Sequence, residues 1–136
     1  MTYTVSHKRL RYDHAEVSEL AGGKCLVKIT ISLGERIIEK DATGGDDAIG
    51  RLKTAAVATL KAIEETVEGR FTATLADLDH VNALGKDLIA VLVDVVFEGK
   101  EVQVFGSCQI AGSELDAAVK SALNATNRFF ELAMRT

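Results

Sequence analysis

Hydrophobic and polar residues alternate along one segment of the chain and give way to a nearly continuous apolar run in another. In residues 24–33, KCLVKITISL, apolar side chains at every second position alternate with mostly polar ones, which predicts a strand with one buried face. Residues 88–97, LIAVLVDVVF, are apolar almost throughout, which is typical of a more central strand. Glycine turns follow at Gly34 and Gly99, and such short connections predict antiparallel pairing.

The periodicity changes to that of an amphipathic helix after each group of strands. One apolar stripe at helical spacing runs from Ile49 to Val67, and a second runs from Leu115 to Ala133. Both stripes are rich in alanine, which is the best helix former and allows a helix to lie close to a sheet.

This order of elements occurs twice. Residues 10–34 and 75–99 each carry an Asp-His pair, then a turn with Gly-Lys, then an apolar strand that ends at a glycine turn. The pairs are Asp13-His14 and Asp79-His80. A further short strand and an alanine-rich helix follow each copy.

The repeat predicts a single α+β domain over residues 1–136. It would contain two pseudo-symmetric βββα repeats, about 4–68 and 70–134, with a mostly antiparallel sheet of about six strands. Both helices would pack on one face of the sheet, because a sheet buries one face against helices.

Composition argues against several function classes. The 136 residues are enough for one domain but not for two ordinary ones. A net charge of -4 argues against nucleic-acid binding, and the single basic cluster is HKRLR at residues 7–11. Neither a membrane-spanning apolar run nor a signal peptide is present in the sequence, so we expect a cytoplasmic protein without a membrane partner.

The cysteines and the polar side chains do not predict catalysis. Cys25 and Cys108 lie far apart without metal-ligand spacing, as in reduced cytoplasmic thiols. Cys108 has no neighbouring base and Ser113 no histidine partner implied by the sequence.

The Asp-His pairs do not form catalytic dyads either. Neighbouring strand residues point to opposite faces, so neither aspartate can orient its histidine. A metal site would need the repeats to bring His14 and His80 together, and a repeated strand-end position explains the pairs more simply. We therefore predict a protein that is not an enzyme, with no cofactor and no metal.

Both helix starts contain glycine and polar capping residues. TGGDDA at 43–48 and SELDAA at 113–118 each place Thr or Ser three residues before Asp, a variant of the capping box. Backbone N–H groups at such a start can hold a carboxylate or a phosphate. The signal is weak by itself, since most capped helices bind nothing.

The second helix and its start resemble the end of the C-terminal regulatory, dimerising domain of α-isopropylmalate synthase and the related citramalate synthases. That family has an alanine-rich helix ending Ala-x-Asn-Arg, and the residues in register with it are Ala117, Ser121, Asn124, Ala125, Asn127 and Arg128. NALGKDLIAVLVDVVFEGKEVQVFG is similar to the preceding strand pair. ATGGDDAI resembles the family's Ala-Thr-Gly-x-Gly-Pro-Val-Asp-Ala, shortened and without the proline.

The resemblance covers both halves of the chain and implies small-molecule sensing and homodimerisation. In that family an end product such as leucine or isoleucine binds near the helix starts, where two domains meet. The implied ligand-binding residues are Thr43, Gly44, Gly45, Asp46, Ala111, Gly112 and Ser113. The expected partners are a second copy, a branched-chain amino acid or related effector, and a separate catalytic subunit.

The chain also departs from the family. The family's Ser-x-Asp at the second helix start is replaced in register by Ala111-Gly112-Ser113. The catalytic barrel needs about 250 residues and does not fit. The chain is therefore either the severed regulatory piece of a longer enzyme or a free-standing relative, and the initial Met1 favours the latter.

Asn124 and Asn127 are unusual choices for the second helix, since asparagine lowers helix stability relative to alanine. At about 100° per residue Asn124 projects roughly opposite Leu115, so we expect it to face away from the sheet. Asn127 sits on the flank. Both asparagines are predicted to contact a second subunit or the far side of the ligand site, the alternative being ordinary solvent exposure.

Two other functions remain open. A structural homodimer or adaptor of the same fold, without an effector, would explain the altered helix starts. Double-stranded RNA binding through the helix face would need a lysine-rich face, which the acidic composition disfavours.

Overall fold

The computed structural model describes residues 9–135, which form six strands and two helices. The elements are β1 (Leu10–Leu20), β2 (Lys24–Leu33), β3 (Arg36–Gly45), α1 (Ala48–Thr66), β4 (Phe71–Ala83), β5 (Lys86–Phe97), β6 (Lys100–Gln109) and α2 (Glu114–Met134). The predicted α+β class and the repeated βββα order are confirmed. The expected start of repeat one at residue 4 and the first two residues of the basic cluster lie outside the described residues.

The strands form two antiparallel sheets of three strands each, rather than one sheet of about six strands. Sheet A has the order β1-β2-β3, and sheet B has the order β4-β5-β6. The physical reason is the position of α1, which follows β3 and packs against both β3 and β4. Because α1 lies between β3 and β4, these two strands do not pair. β4 therefore starts a second sheet instead of extending sheet A.

The central strands supply much of the core. In β2 the alternation predicted for residues 24–33 is confirmed, because every second side chain from Cys25 to Leu33 is buried. In β5 the side chains of Ile89, Val91, Val93 and Val95 are buried, while the intervening residues lie on the opposite face. β5 therefore carries apolar residues on both of its faces, although only one face packs on the core.

The helices cover the inner faces of the sheets and pack against each other. The predicted stripes are confirmed, since nearly all their side chains are buried in the core and the rest pack against it. α1 also packs against β4, and its exposed side carries Lys53, Lys61 and Glu65. α2 is buried on the side that faces the sheets and α1, and Lys120, Asn124, Asn127 and Arg128 are exposed on its outer side.

Small residues let α2 lie directly on β6. A Cβ atom at Gly106 would collide with the backbone of Ser121 and Ala125, so only glycine permits this approach. The Ser121 hydroxyl is fully buried and lies 2.8 Å from the carbonyl oxygen of Ile89 on β5. The lack of bulk along α2 is thus a packing requirement of its contact with sheet B.

Candidate functional site

The first helix start is capped by Asp47. β3 continues to Gly45, which pairs with Lys24, so the helix begins later than the sequence pattern indicates. The Asp47 carboxylate accepts a hydrogen bond from the Gly50 N–H at 2.9 Å. Thr43 is a strand residue, and the prediction that it caps this helix is wrong.

The groups around Asp46 are already paired. Its N–H donates to the carbonyl of Gly23 at 3.0 Å. Its carboxylate accepts from the Arg51 side chain at 2.6 Å, and Arg51 also lies 3.3 Å from Glu19. The hydrogen bond that Arg51 donates to Asp46 raises the pKa of Arg51, so the guanidinium stays charged. This start offers a ligand neither the Asp46 amide nor an unpaired cation.

The space over Gly44 is filled as well. A Cβ atom there would collide with the Thr54 hydroxyl of α1, and this hydroxyl donates to the Gly50 carbonyl at 2.7 Å. Of the residues predicted at this start, Gly44 therefore serves the packing of α1 on β3, whereas Gly45 is exposed and a Cβ atom there would make only an ordinary contact with Asp47.

The second helix start is more open. Ser113 is the N-cap, as predicted, and its hydroxyl accepts from the Asp116 N–H at 3.1 Å. Gly112 has a positive φ of 93°, which favours glycine, and a Cβ atom there would meet nothing within 4 Å. Ala111 and Gly112 are both exposed. A ligand could approach the chain here without displacing a side chain.

A tyrosine ties this start to sheet A. The Tyr12 hydroxyl on β1 donates to the Asp116 carboxylate at 2.6 Å. Burial, and then the hydrogen bond to Asp116, raise the pKa of Tyr12 above its ordinary value. This contact could not be predicted from neighbouring residues, because Tyr12 and Asp116 are separated by most of the chain.

The two helix starts do not meet within one chain. The first contacts β1 at Glu19 through Arg51, and the second contacts β1 at Tyr12 through Asp116. At about 3.3 Å per strand residue these contacts are roughly 20 Å apart, far more than the length of an amino acid. A ligand touching both sets of predicted residues would need the starts of two different copies.

The asparagines lie on the exposed side of α2, but Asn124 does not point wholly away from the sheet. Its amide donates to the Ser107 carbonyl of β6 at 2.8 Å. This reach is possible because α2 lies directly on β6, the edge strand of sheet B. Asn127 is exposed beside Arg128.

The histidines of the two Asp-His pairs lie in different sheets, His14 in sheet A and His80 in sheet B. His14 pairs with Thr30 in β2, whereas His80 pairs with Ile89 near the start of β5, so the Asp-His pairs hold different places in their hairpins. Each ring lies near an acid of its own hairpin. Among residues 9–135 no cluster of His, Cys, Asp or Glu is arranged to hold a metal ion.

A depression at the end of α1 carries many charges, and several of them are paired. Its lining is Arg36, Lys40, Lys61, Glu64, Glu65, Glu68 and Gly69. Lys40 lies 2.7 Å from the Glu65 carboxylate, and Arg36 donates to the carbonyls of Glu65 and Thr66 at the end of the helix. These contacts stabilise a helix C-terminus, and no predicted site residue takes part.

Sequence reasoning missed an apolar surface on sheet B. Phe105 is 78% exposed, and on the same face lie the half-buried Leu92, its pairing partner, and neighbouring apolar residues. The apolar residues of this outer face of sheet B are Val81, Leu88, Ala90, Leu92, Val96 and Phe105, and the acidic residues Asp77, Asp79, Asp94 and Glu101 lie on the same face. The apolar run of β5 could have indicated this surface, because a strand with one buried face needs apolar residues only at every second position.

Comparison of the chain with known protein families gives no match, and comparison with curated proteins finds none that is similar. In the part of the chain that the structure describes, no helix has the length and apolarity to cross a bilayer. Functional inference therefore rests on the fold, the helix starts and the outer face of sheet B.

Proposed function

We propose that the chain is a non-catalytic homodimerisation domain, resembling the regulatory domain of α-isopropylmalate and citramalate synthases. The observation that carries the proposal is the exposure of Phe105 on the edge strand β6, beside the apolar outward residues of β5. Exposed apolar surface of this kind marks interaction sites in proteins that otherwise bury such residues. The βββα repeat and the motifs of α2 support the regulatory class.

Small-molecule sensing is the second candidate function, and the open start at Gly112 favours it. A branched-chain amino acid would place its carboxylate near the backbone of Gly112 and Ser113, with Gly44 and Gly45 of another copy completing the site. The first start supports this function less well, because its Asp46 amide is bonded and Thr54 fills the space over Gly44. The geometry therefore supports dimerisation more strongly than effector capture.

The arrangement of polar side chains supports a non-catalytic role. Ser113 caps α2, with its hydroxyl accepting from a backbone amide. Cys25 is buried, with its thiol directed at the Gly45 carbonyl. In this proposal the domain acts in the cytoplasm by pairing with a second copy and with a separate catalytic subunit.

The first experiment measures oligomeric state and ligand response together. Sedimentation velocity between low and high micromolar concentration should show a reversible monomer–dimer equilibrium, and a monomer throughout would overturn the proposal. Thermal unfolding with each branched-chain amino acid, related 2-oxo acids and acyl-malates tests sensing. A ligand at a hundred times its dissociation constant adds about 2.7 kcal/mol of stability, and D-leucine serves as the matched control compound.

Substituting the two asparagines tests whether the exposed side of α2 contacts a second subunit or a ligand. The Asn124→Ala/Asn127→Ala variant should retain its helix content, because alanine favours helix. If α2 faces the ligand or a second subunit, the variant loses the effector-induced shift or weakens association. Unchanged ligand response and association would make both asparagines ordinary solvent-exposed residues.

A further inference from the structure

We infer that the outer face of sheet B binds an amphipathic helix of another protein, one that presents lysine or arginine beside an apolar stripe. The helix lies along β5, with its basic edge over β4. This inference rests on the proposed association with a separate subunit and states the chemistry of that subunit's contacting surface. It leaves the edge strand β6, with Phe105, to the proposed pairing with a second copy.

The two repeats differ in the outward residues of their central strands. Counted back from the turn that follows each strand, Leu92 of β5 occupies the position of Lys28 in β2. By the same count, Leu88 occupies the position of Lys24. The fold therefore accepts a lysine at both positions, and folding alone does not require the two leucines. Both leucines are only half-buried, so each offers apolar surface to a partner.

The acids on the neighbouring strand are kept although these lysines are replaced. Glu16 of β1 pairs with Lys28, and its carboxylate lies 4.0 Å from the lysine Nζ. At the equivalent place in sheet B, Asp77 of β4 pairs with Leu92. Asp79 follows on the same face of β4. Sheet B therefore carries an acidic flank without the central-strand lysine that accompanies the acid of sheet A.

Most acids on the face have no ion pair. Within residues 9–135, no basic side chain lies within 4.0 Å of the carboxylates of Asp79, Asp94 and Glu101. Asp77 differs, since Lys53 of α1 lies 3.6 Å from it. The outward residues of the three strands include one cation, Lys86, at the hairpin end of β5. The excess of negative charge favours a basic partner here and disfavours a second copy of an acidic chain.

A helix fits this pattern in width and in spacing. Sheet B already accepts a helix on its inner face, where α2 packs. A helix with its side chains is about 10 Å across, the width of a strip of two strands about 4.8 Å apart. Asp77 and Asp79 are separated by about 6.6 Å along the strand, and helix residues four apart by about 6 Å. Two basic residues at i and i+4 can therefore reach both acids while the apolar stripe contacts Leu88 and Leu92.

The test uses the full chain and two defined peptides of about 18 residues. One has leucine at helical spacing and lysine at the other positions, and the second has glutamate in place of lysine. Isothermal titration calorimetry should show one lysine peptide bound per chain, and the glutamate peptide should bind at least about tenfold more weakly. Equal binding of the two peptides, or no binding of the lysine peptide at about 100 μM, would overturn the inference.

Two variants test whether the peptide binds on this face. Leu92→Lys copies sheet A onto sheet B, and it should raise the dissociation constant at least about tenfold by removing apolar contact and adding a like charge. Asp79→Asn removes one exposed charge and should raise the constant about threefold. Glu39→Gln is the matched control, because Glu39 is an exposed acid on the outer face of sheet A, and it should change the constant less than about 1.5-fold.

Equal effects of Asp79→Asn and Glu39→Gln would show non-specific attraction to an acidic chain and would overturn the inference. Circular dichroism checks that Leu92→Lys is folded, and Asp79→Asn decides the question if it is not. Amide chemical shifts locate the peptide directly. The largest changes should occur in residues 77–81 and 88–92, and largest changes in sheet A would contradict the proposed surface.

The outcomes separate this inference from the proposed homodimer. In sedimentation velocity, Leu92→Lys should leave the self-association of the wild type unchanged. Loss of self-association without an effect on peptide binding would assign the face to a second copy and overturn the inference. A monomeric wild type that binds the lysine peptide would overturn homodimerisation alone. Binding to phosphatidylcholine vesicles that Leu92→Lys abolishes would assign the face to a lipid surface instead.

Discussion

The two helices hold equivalent places in their repeats, yet the same position is buried in one helix and exposed in the other. At the same distance from the N-cap, α1 has Ala58, which is fully buried, and α2 has Asn124, which is exposed. α1 lies against sheet A, β4 and α2, whereas no element within residues 9–135 covers the outer side of α2. The two repeats therefore share the order of their elements, whereas the neighbours of each helix determine which residues it can carry at a given position.

Exchanging residues between the helices should have the largest effect. Ala58→Asn buries an amide without a partner in a filled space and should cost about 3 kcal/mol of unfolding free energy. Asn124→Ala loses one exposed hydrogen bond and gains helix propensity, so it should change stability by less than about 0.5 kcal/mol. Urea unfolding of both variants checks the contrast, and equal costs would refute the difference in enclosure.

The helix-to-strand contacts give a second contrast. Gly106→Ala forces a methyl group into the backbone of α2 and should cost about 2 kcal/mol or more. Ala42 holds the corresponding place in β3 with its methyl group buried. Ala42→Gly should cost only about 1 kcal/mol, from added backbone freedom and a lost methyl contact. Chemical denaturation measures both, and a well-tolerated Gly106→Ala would mean that α2 does not lie on β6.

The contribution of the Tyr12–Asp116 hydrogen bond to the free energy of unfolding should depend on pH. Tyr12→Phe removes the hydrogen bond and should cost about 1 kcal/mol at neutral pH. Because the pKa of Tyr12 is raised in the folded state, its stabilising contribution is present below the ordinary tyrosine pKa, 10.0, and is lost as the pH rises above it. The stability difference between wild type and Tyr12→Phe should therefore narrow between pH 7 and about pH 10.5. A constant difference would place the effect of Tyr12 in packing alone.

The two caps should give the smallest contrast. Asp47→Ala and Ser113→Ala each remove a side-chain acceptor from a helix start and should cost about 1 kcal/mol. Asp47 also places a negative charge at the positive end of α1, so part of its contribution should fall with added salt. Thermal unfolding in low and high salt measures this, with Ser113→Ala as the uncharged control.

The periodicity of the sequence was sufficient to predict the elements and their order. The alternation in residues 24–33 and the stripe from Leu115 to Ala133 depend on which local face is buried, and this information is present in neighbouring residues. The division into two sheets could not be read in this way, because it depends on α1 packing against β4. The sequence also placed the cap at Thr43 because it could not indicate that β3 remains paired up to Gly45.

Less of the candidate site than of the fold could be predicted from the sequence. Ser113 was recognisable as a cap from three neighbouring residues. Tyr12, Glu19 and Phe105 were not, because their roles follow from contacts across the chain or from the absence of contacts on one sheet face. The apolar residues of β5 were seen but were explained by a central position in the sheet, which accounts for only one of their two faces.

The shared position of α1 has a consequence for how the domain unfolds. In linear repeat proteins each unit touches only its neighbours, so the ends can melt while the middle remains folded. Here a single helix contributes to the core beneath both sheets, and loss of either sheet would expose it. Amide hydrogens of β2 and β5 should therefore exchange with the same opening free energy, in one cooperative transition.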